Sequence, residues 1–216
     1  MAELSASGII VRTMQLFFSP TSPYARKVLV AARETGLDSR IELIAINPWD
    51  SASGIGQKNP LAKVPVLILQ DDTELFDSPV ICEYLNSLLA DSGLIHASRP
   101  ERWHVLRRQA LADGMMDAAV LIFLETNRRP QGERSRWWLD LQLQTLRDSV
   151  AALESQVPTF TEPPDIGQIA VGCALGYLDF RITDLDWRGG APRLSSWFQR
   201  FSQRPSMQTS APSVPT

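Results

Sequence analysis

Apolar and polar positions alternate with a short period early in the chain and with a helical period later. Gln15 to Phe18 and Ile41 to Ile46 read as strands, the second mostly buried because Ile41, Leu43 and Ala45 alternate with Glu42, Ile44 and Ile46. Between them Ser22-Pro23 opens a helix that closes at Gly36, a residue suited to the left-handed position after a helix. The run Val66 to Leu69 reads as a buried strand entered through Val64-Pro65. Asp71-Asp72 turns the chain into a short returning strand. Ser78-Pro79 then starts a helix to about Ala90, with Ser78 expected as N-cap and Pro79 at the first helical position. A β-α-β unit, an irregular helix, a hairpin and a closing helix make an α/β layer of four strands and three helices.

From Pro100 onward the period is helical throughout. Pro100 to Asn127 and Glu133 to Gln156 repeat apolar residues at three- and four-residue steps, as in Leu139, Leu143, Leu146, Val150 and Leu153, with Pro130 and Gly132 at the turn. Asp165-Ile166-Gly167-Gln168 has the spacing of a capping box, and Pro163-Pro164 bars an earlier start. The helix it opens runs to Arg181 and is apolar on nearly every side, which places it in a core. Pro192 to Gln203 is the last expected helix. The expected domains are 14–90 and 100–204, flanked by a flexible extension at 1–13 and a flexible Ser/Pro-rich tail at 205–216.

Composition narrows the functional classes. The 216 residues carry 21 Lys and Arg against 24 Asp and Glu, a net charge of -3, so the basic footprint of a nucleic-acid binder is missing. No apolar run approaches the ~18 residues of a membrane span, and Ile9-Ile10-Val11 is too short for a signal-peptide core, so a cytoplasmic protein is expected. Cys82 and Cys173 fall inside apolar helical patterns and read as buried reduced thiols. Arg128, Arg129, Arg134 and Arg136 read as a solvated loop between helices.

The segment around Val64 carries the chemistry. Pro65 cannot join a strand ladder through its nitrogen, which leaves the Val64 backbone open to an extended peptide. The helix start at Ser78 offers free N–H groups and a positive dipole end to a carboxylate. Together they point to a small acidic peptide as ligand.

With these pieces placed, the chain resembles the soluble glutathione transferases of bacteria from Met14 to about Arg204. The likeness is carried by Met14 to Phe18, Thr21 to Val28, Asn59-Pro60-x-x-Lys63-Val64-Pro65, Asp77-Ser78, and the helix from Asp165 to Arg181. The resemblance implies a thioredoxin-like domain followed by a helical bundle, a cis Val64-Pro65 bond, glutathione as co-substrate, no metal, and a homodimer. It implies that Val64 holds the cysteinyl backbone of glutathione. Ser78 with its helix N-terminus would hold the γ-glutamyl carboxylate, and Asp77 would meet the α-amino end. The glycyl carboxylate needs a donor between Asn47 and Lys58, where Trp49, Gln57 and Lys58 are candidates. Phe17 and Phe18 stand where tyrosine-type members place Tyr, and Ser22 stands where cysteine-type members place Cys.

Ser22 is therefore the candidate thiolate donor, with Thr21 and Ser19 as alternatives. Lowering a thiol pKa of ~8.5 by about two units takes ~2.7 kcal/mol. A hydrogen bond to the charged sulfur supplies roughly 1.5–3 kcal/mol, and a helix N-terminus about 0.3–1. The implied reaction is conjugation of the thiolate to an apolar electrophile. The competing readings are a glutathione-binding module without turnover and a glutathione-dependent thiol–disulfide or peroxide reductase, the last disfavoured by the lack of a C-x-x-C or a Cys at the first helix.

Overall fold

The computed structural model describes residues 13–89, 93–95 and 99–213. It divides into two compact units that part between residues 90 and 91. Within the first, β1 (Met14–Phe18), β2 (Ile41–Ala45), β3 (Val66–Ile68) and β4 (Glu74–Leu75) form one sheet in the order β2-β1-β3-β4. β2 runs parallel to β1, while β3 runs antiparallel to β1 and β4 antiparallel to β3. Three helices accompany the sheet: α1 (Pro23–Glu34), the single turn α2 (Ile55–Lys58) and α3 (Ser78–Ser87). This is the mixed four-stranded layer expected from the sequence, with Leu16, Val66, Leu67, Val28 and Ile81 fully buried. Gly36, at φ 70, follows the C-cap of α1, a conformation that costs glycine nothing.

Two local expectations are corrected here. β2 is an edge strand, and Glu42, Leu43 and Ala45 are exposed; only Ile41 is fully covered. The alternation of apolar residues carried no information on which strands would flank it. The cap of α3 is Asp77, with φ -96 and ψ -158, and Ser78 is the first helical residue. The Asp77 carbonyl accepts the first helical bond, from Ile81 N–H at 3.0 Å. Pro79 fits one position deeper than expected because every N–H of the first turn lacks an intrahelical acceptor anyway.

The second unit is helical: α4 (Arg99–Asn127), α5 (Arg136–Gln156), α6 (Ile166–Arg181), α7 (Pro192–Phe201) and the single turn α8 (Pro205–Gln208). α6 is buried along nearly its whole length, as its uniform apolarity required. Its start is a complete capping box: Asp165 accepts Gln168 N–H at 2.8 Å, and Gln168 Oε1 accepts Asp165 N–H at 3.3 Å. Arg108 of α4 reaches the same carboxylate at 2.9 Å and donates to Thr159 Oγ1 at 2.9 Å, while its guanidinium lies 4.5 Å from the Phe160 ring centre. Both partners of this ion pair are buried. Gly167 lets the two helices meet, since a Cβ there would stand 2.7 Å from the Val105 carbonyl oxygen.

Other ends in this unit are closed by distant carboxylates. Ala191 has no side chain to cap α7, and Glu154 of α5 accepts the Arg193 and Leu194 N–H groups instead, at 3.1 and 2.7 Å. Glu125 is held below the ordinary carboxylate range, first by the Ser135 backbone N–H and then by Arg129. That pins the turn between α4 and α5, whose arginines are exposed as expected. The tail expected to be flexible from residue 205 begins with an ordered turn. Met207 is 1% exposed and sits beside Gly172, where a Cβ would come within 3.5 Å of its methyl. One apolar side chain in a Ser/Pro-rich stretch found a place in the core. The extension expected at 1–13 lies, Thr13 apart, outside the described residues.

Asp165→Ala should remove the cap and leave the Arg108 charge buried without its partner, costing about 3–5 kcal/mol of unfolding free energy. Asp165→Asn keeps an acceptor for the cap and should cost less. Denaturant unfolding of both variants checks the order, and equal losses would show that the charge pair, not the cap, carries the effect.

Candidate functional site

The register of the sheet decides where the expected site residues lie. Phe17 near the end of β1 pairs with Val66 at the start of β3, so the chain just before β3 meets the C-terminal end of β1. β4 runs antiparallel to β3, so its exit into Phe76, Asp77 and Ser78 lies at that same end. β2, parallel to β1, delivers the segment after Ala45 there too, and Ile46 N–H donates to the Phe18 carbonyl at 2.8 Å. Ser19 to Ser22, Val64, Asp77 and Ser78 are thus gathered along one edge of the sheet.

Ser22 is the N-cap of α1, extended at φ -81 and ψ 120. Its Oγ accepts Ala25 N–H at 3.2 Å, its carbonyl accepts Arg26 N–H at 3.0 Å, and its own N–H donates to the Ser19 carbonyl at 3.0 Å. The oxygen is occupied as an acceptor, while the hydroxyl hydrogen has no acceptor among the described residues. Ser19 Oγ and Thr21 Oγ1 stand 3.2 Å apart, so one of their two hydrogens is committed to that pair. Ser22 combines a free hydrogen with the dipole end of a three-turn helix.

Val64 precedes β3 by two residues, and the Val64–Pro65 bond is cis. Its N–H and C=O make no hydrogen bond among the described residues, while its half-buried side chain packs with Phe17, Ile46 and Phe76 on Ile55, Val66 and Ile68. The loop that presents it is held by Asn59, which is 1% exposed. Asn59 Nδ2 donates to the Lys63 carbonyl at 3.0 Å, and its Oδ1 accepts Leu61 N–H at 2.9 Å. Sequence reasoning quoted Asn59 within a motif and gave it no role. The signal was there, because an Asn that accepts from two residues on is a turn former and Pro60 follows it directly.

Ser78 is buried and Asp77 exposed, and neither side chain makes a hydrogen bond among the described residues. Of the candidates for the remaining carboxylate, Trp49 and Gln57 are exposed. Lys58 is half-buried, with Nζ 4.9 Å from the Phe17 ring centre at the site end of β1. Met115 and Met116 of α4 are both fully buried. Among the described residues no cluster of three or more His, Cys, Asp or Glu could hold a metal, and no helix is long and apolar enough to cross a membrane. A cavity of about 320 Å³ between Asp179 and Arg188 lies in the second unit, on other elements than those of the sheet edge.

Residues 21–88 match the family model described as glutathione S-transferase, N-terminal domain, and residues 137–200 match its C-terminal counterpart. An uncharacterized GST-like protein of Escherichia coli K12, YibF, is 33% identical over 202 residues, which cover 92% of this chain and 98% of that protein. A glutathione transferase family member of Pseudomonas fluorescens Pf-5, crystallised with bound glutathione, is 41% identical with a TM-score of 0.89, covering 94% of this chain and 100% of that one. A glutathione S-transferase of Methylobacillus flagellatus KT, also with glutathione bound, is 36% identical with a TM-score of 0.87, covering 93% and 100%. With both halves matched and the likeness extending over nearly its whole length, the chain belongs to the glutathione S-transferase family.

Proposed function

We propose that the protein binds glutathione at the C-terminal end of β1 and transfers its thiolate to an apolar electrophile. The observation that carries this reading is that the Ser22 hydroxyl hydrogen, the Val64 backbone and the Asp77 and Ser78 side chains, without partners among the described residues, gather along that edge. The Val64 backbone pairs with the cysteinyl backbone as an added strand segment would. Ser78 and the start of α3 take the γ-glutamyl carboxylate, and Asp77 takes the α-amino end. Lys58, drawn toward Phe17, takes the glycyl carboxylate. Ser22 then donates its free hydrogen to the sulfur while the dipole of α1 favours the anion. The two effects together supply the ~2.7 kcal/mol that two units of thiol pKa require.

Thiol–disulfide exchange finds no support, because Cys82 and Cys173 are both buried and neither lies on the sheet edge. A binding module without turnover is separated from an enzyme by assay against an electrophile panel. The Pseudomonas relative was also crystallised with S-(propanoic acid)-glutathione, so the panel includes carboxylated as well as apolar electrophiles. A second copy of the chain is the proposed partner. Trp49, Leu61 and Val80 in one unit and Trp103, Trp137 and Leu141 in the other are large exposed apolar groups that a two-fold contact would cover. The proposed location is the cytoplasm.

Asp77→Ala and Ser78→Ala should each weaken glutathione binding about ten- to a hundredfold in calorimetry, the loss of one charge-assisted hydrogen bond. Unchanged affinity in both variants would remove the γ-glutamyl assignment. In Ser22→Ala, the ultraviolet absorbance of the bound thiolate should appear about one to two pH units higher, with glutathione affinity little changed. A variant that keeps both the wild-type titration and wild-type turnover would leave Ser22 a plain helix cap and move the test to Thr21 and Ser19. Light scattering at micromolar concentration should give twice the chain mass, and a monomer mass throughout would rule out the second copy.

A further inference from the structure

The loop that carries Val64 is built around one buried carboxamide. Asn59 N–H donates to the Ile55 carbonyl at the end of α2, and the Asn59 carbonyl accepts Ala62 N–H, both at 2.8 Å. Its Oδ1 accepts Leu61 N–H at 2.9 Å, the turn-forming bond of an Asn. An Asp or a Ser would supply that acceptor as well. The amide of Asn adds a donor, and Asn59 Nδ2 spends it across the loop on the Lys63 carbonyl at 3.0 Å. The turn between them is not relaxed, because Ala62 lies at φ 52, where a Cβ is resisted. A residue stays there when its surroundings over-determine it.

The Lys63 carbonyl is one half of a peptide unit whose other half is the Val64 N–H. That unit is trans and planar, so the carbonyl and the N–H point to opposite sides. Holding the carbonyl on Asn59 therefore also sets the direction of the N–H, away from the buried carboxamide. Among the described residues no other hydrogen bond engages this peptide unit. Its orientation depends on Asn59.

We propose that Asn59 is a positioning residue for glutathione: by holding the Lys63 carbonyl it aims the Val64 N–H at the cysteinyl carbonyl. It acts through Val64 and touches no part of the tripeptide. The inference rests on the glutathione reading of the sheet edge, and Ser78→Ala, which tests the γ-glutamyl contact alone, tells the two apart. Asn59→Ser and Asn59→Asp both keep an acceptor for Leu61 N–H and lose the donor to Lys63. In calorimetry at neutral pH each should bind glutathione about tenfold more weakly, one hydrogen bond's worth. The thiolate titration of the bound tripeptide should not move, because Ser22 is untouched. In Asn59→Asp the gap to the wild type should close in acid, where the new carboxyl takes a proton and donates again. In Asn59→Ser it should stay open. Amide hydrogen exchange followed by NMR reads the atom itself: glutathione should slow exchange at Val64 in the wild type and far less in both variants. Wild-type affinity in both variants, a gap in Asn59→Asp that ignores pH, or full protection of Val64 in the variants would overturn the role, even where weakened binding in Ser78→Ala leaves the site standing. Loss of amide protection at Leu16 and Leu67 in the glutathione-free variants would overturn it too, since Asn59 would then serve the fold alone. If Ser78→Ala also binds as the wild type does, the glutathione reading fails with it.

Discussion

The antiparallel pairing of β3 with β1 is the constraint on which the proposed chemistry depends. Had β3 run parallel, Val64 would lie at the opposite end of the sheet from Ser22. Because it runs antiparallel, the residue before β3 and the residues after β4 both return to where β1 ends and α1 begins. The parallel pairing of β2 with β1 brings the Asn47–Lys58 segment to the same end. Four pieces of chain, separated by up to 59 positions between Ser19 and Ser78, share one edge because of three strand pairings.

The two units use their polar groups in opposite ways. In the helical unit, buried polar side chains are spent on the fold. Asp165 serves a cap and a guanidinium, Gln168 bonds to Thr161 and to Asp165, Glu154 closes α7, and Glu125 closes the turn after α4. Along the sheet edge the reverse holds. The Ser22 hydrogen, the Val64 backbone, the Asp77 carboxylate and the Ser78 hydroxyl have no partner among the described residues. Unmade hydrogen bonds of this kind lower stability, and they are tolerated where a ligand makes them. Asn59 reconciles the two demands: buried and hydrogen-bonded through both the nitrogen and the oxygen of its carboxamide, it holds the loop whose next residues are left open.

The helix caps were legible because they are local. Ser22-Pro23, Gly36 and Asp165-x-x-Gln168 each act within four residues, and the structure closes the helices where those residues stand. The core role of α6 was equally plain, since a helix without a polar face has only one place to go. Even local reading had a limit at Asp77 and Ser78. Pro is accepted at either of the first two helical positions, so the sequence left the cap uncertain by one residue.

What only tertiary structure decided is everything that depends on neighbours distant in sequence. The alternation in β2 is compatible with a central or an edge strand, and the order β2-β1-β3-β4 made it an edge. Met207 was one apolar residue among serines and prolines until packing buried it beside Gly172. Which of Trp49, Gln57 and Lys58 lies against β1 was equally unreadable, and packing set the Lys58 Nζ 4.9 Å from the Phe17 ring centre. The amino-acid order by itself determined which helices form, where most of them start, and which residue types could meet a small acidic peptide. Strand pairing and packing determined which of those residues meet, because a register joins positions far apart in the chain, and no local pattern encodes the partner.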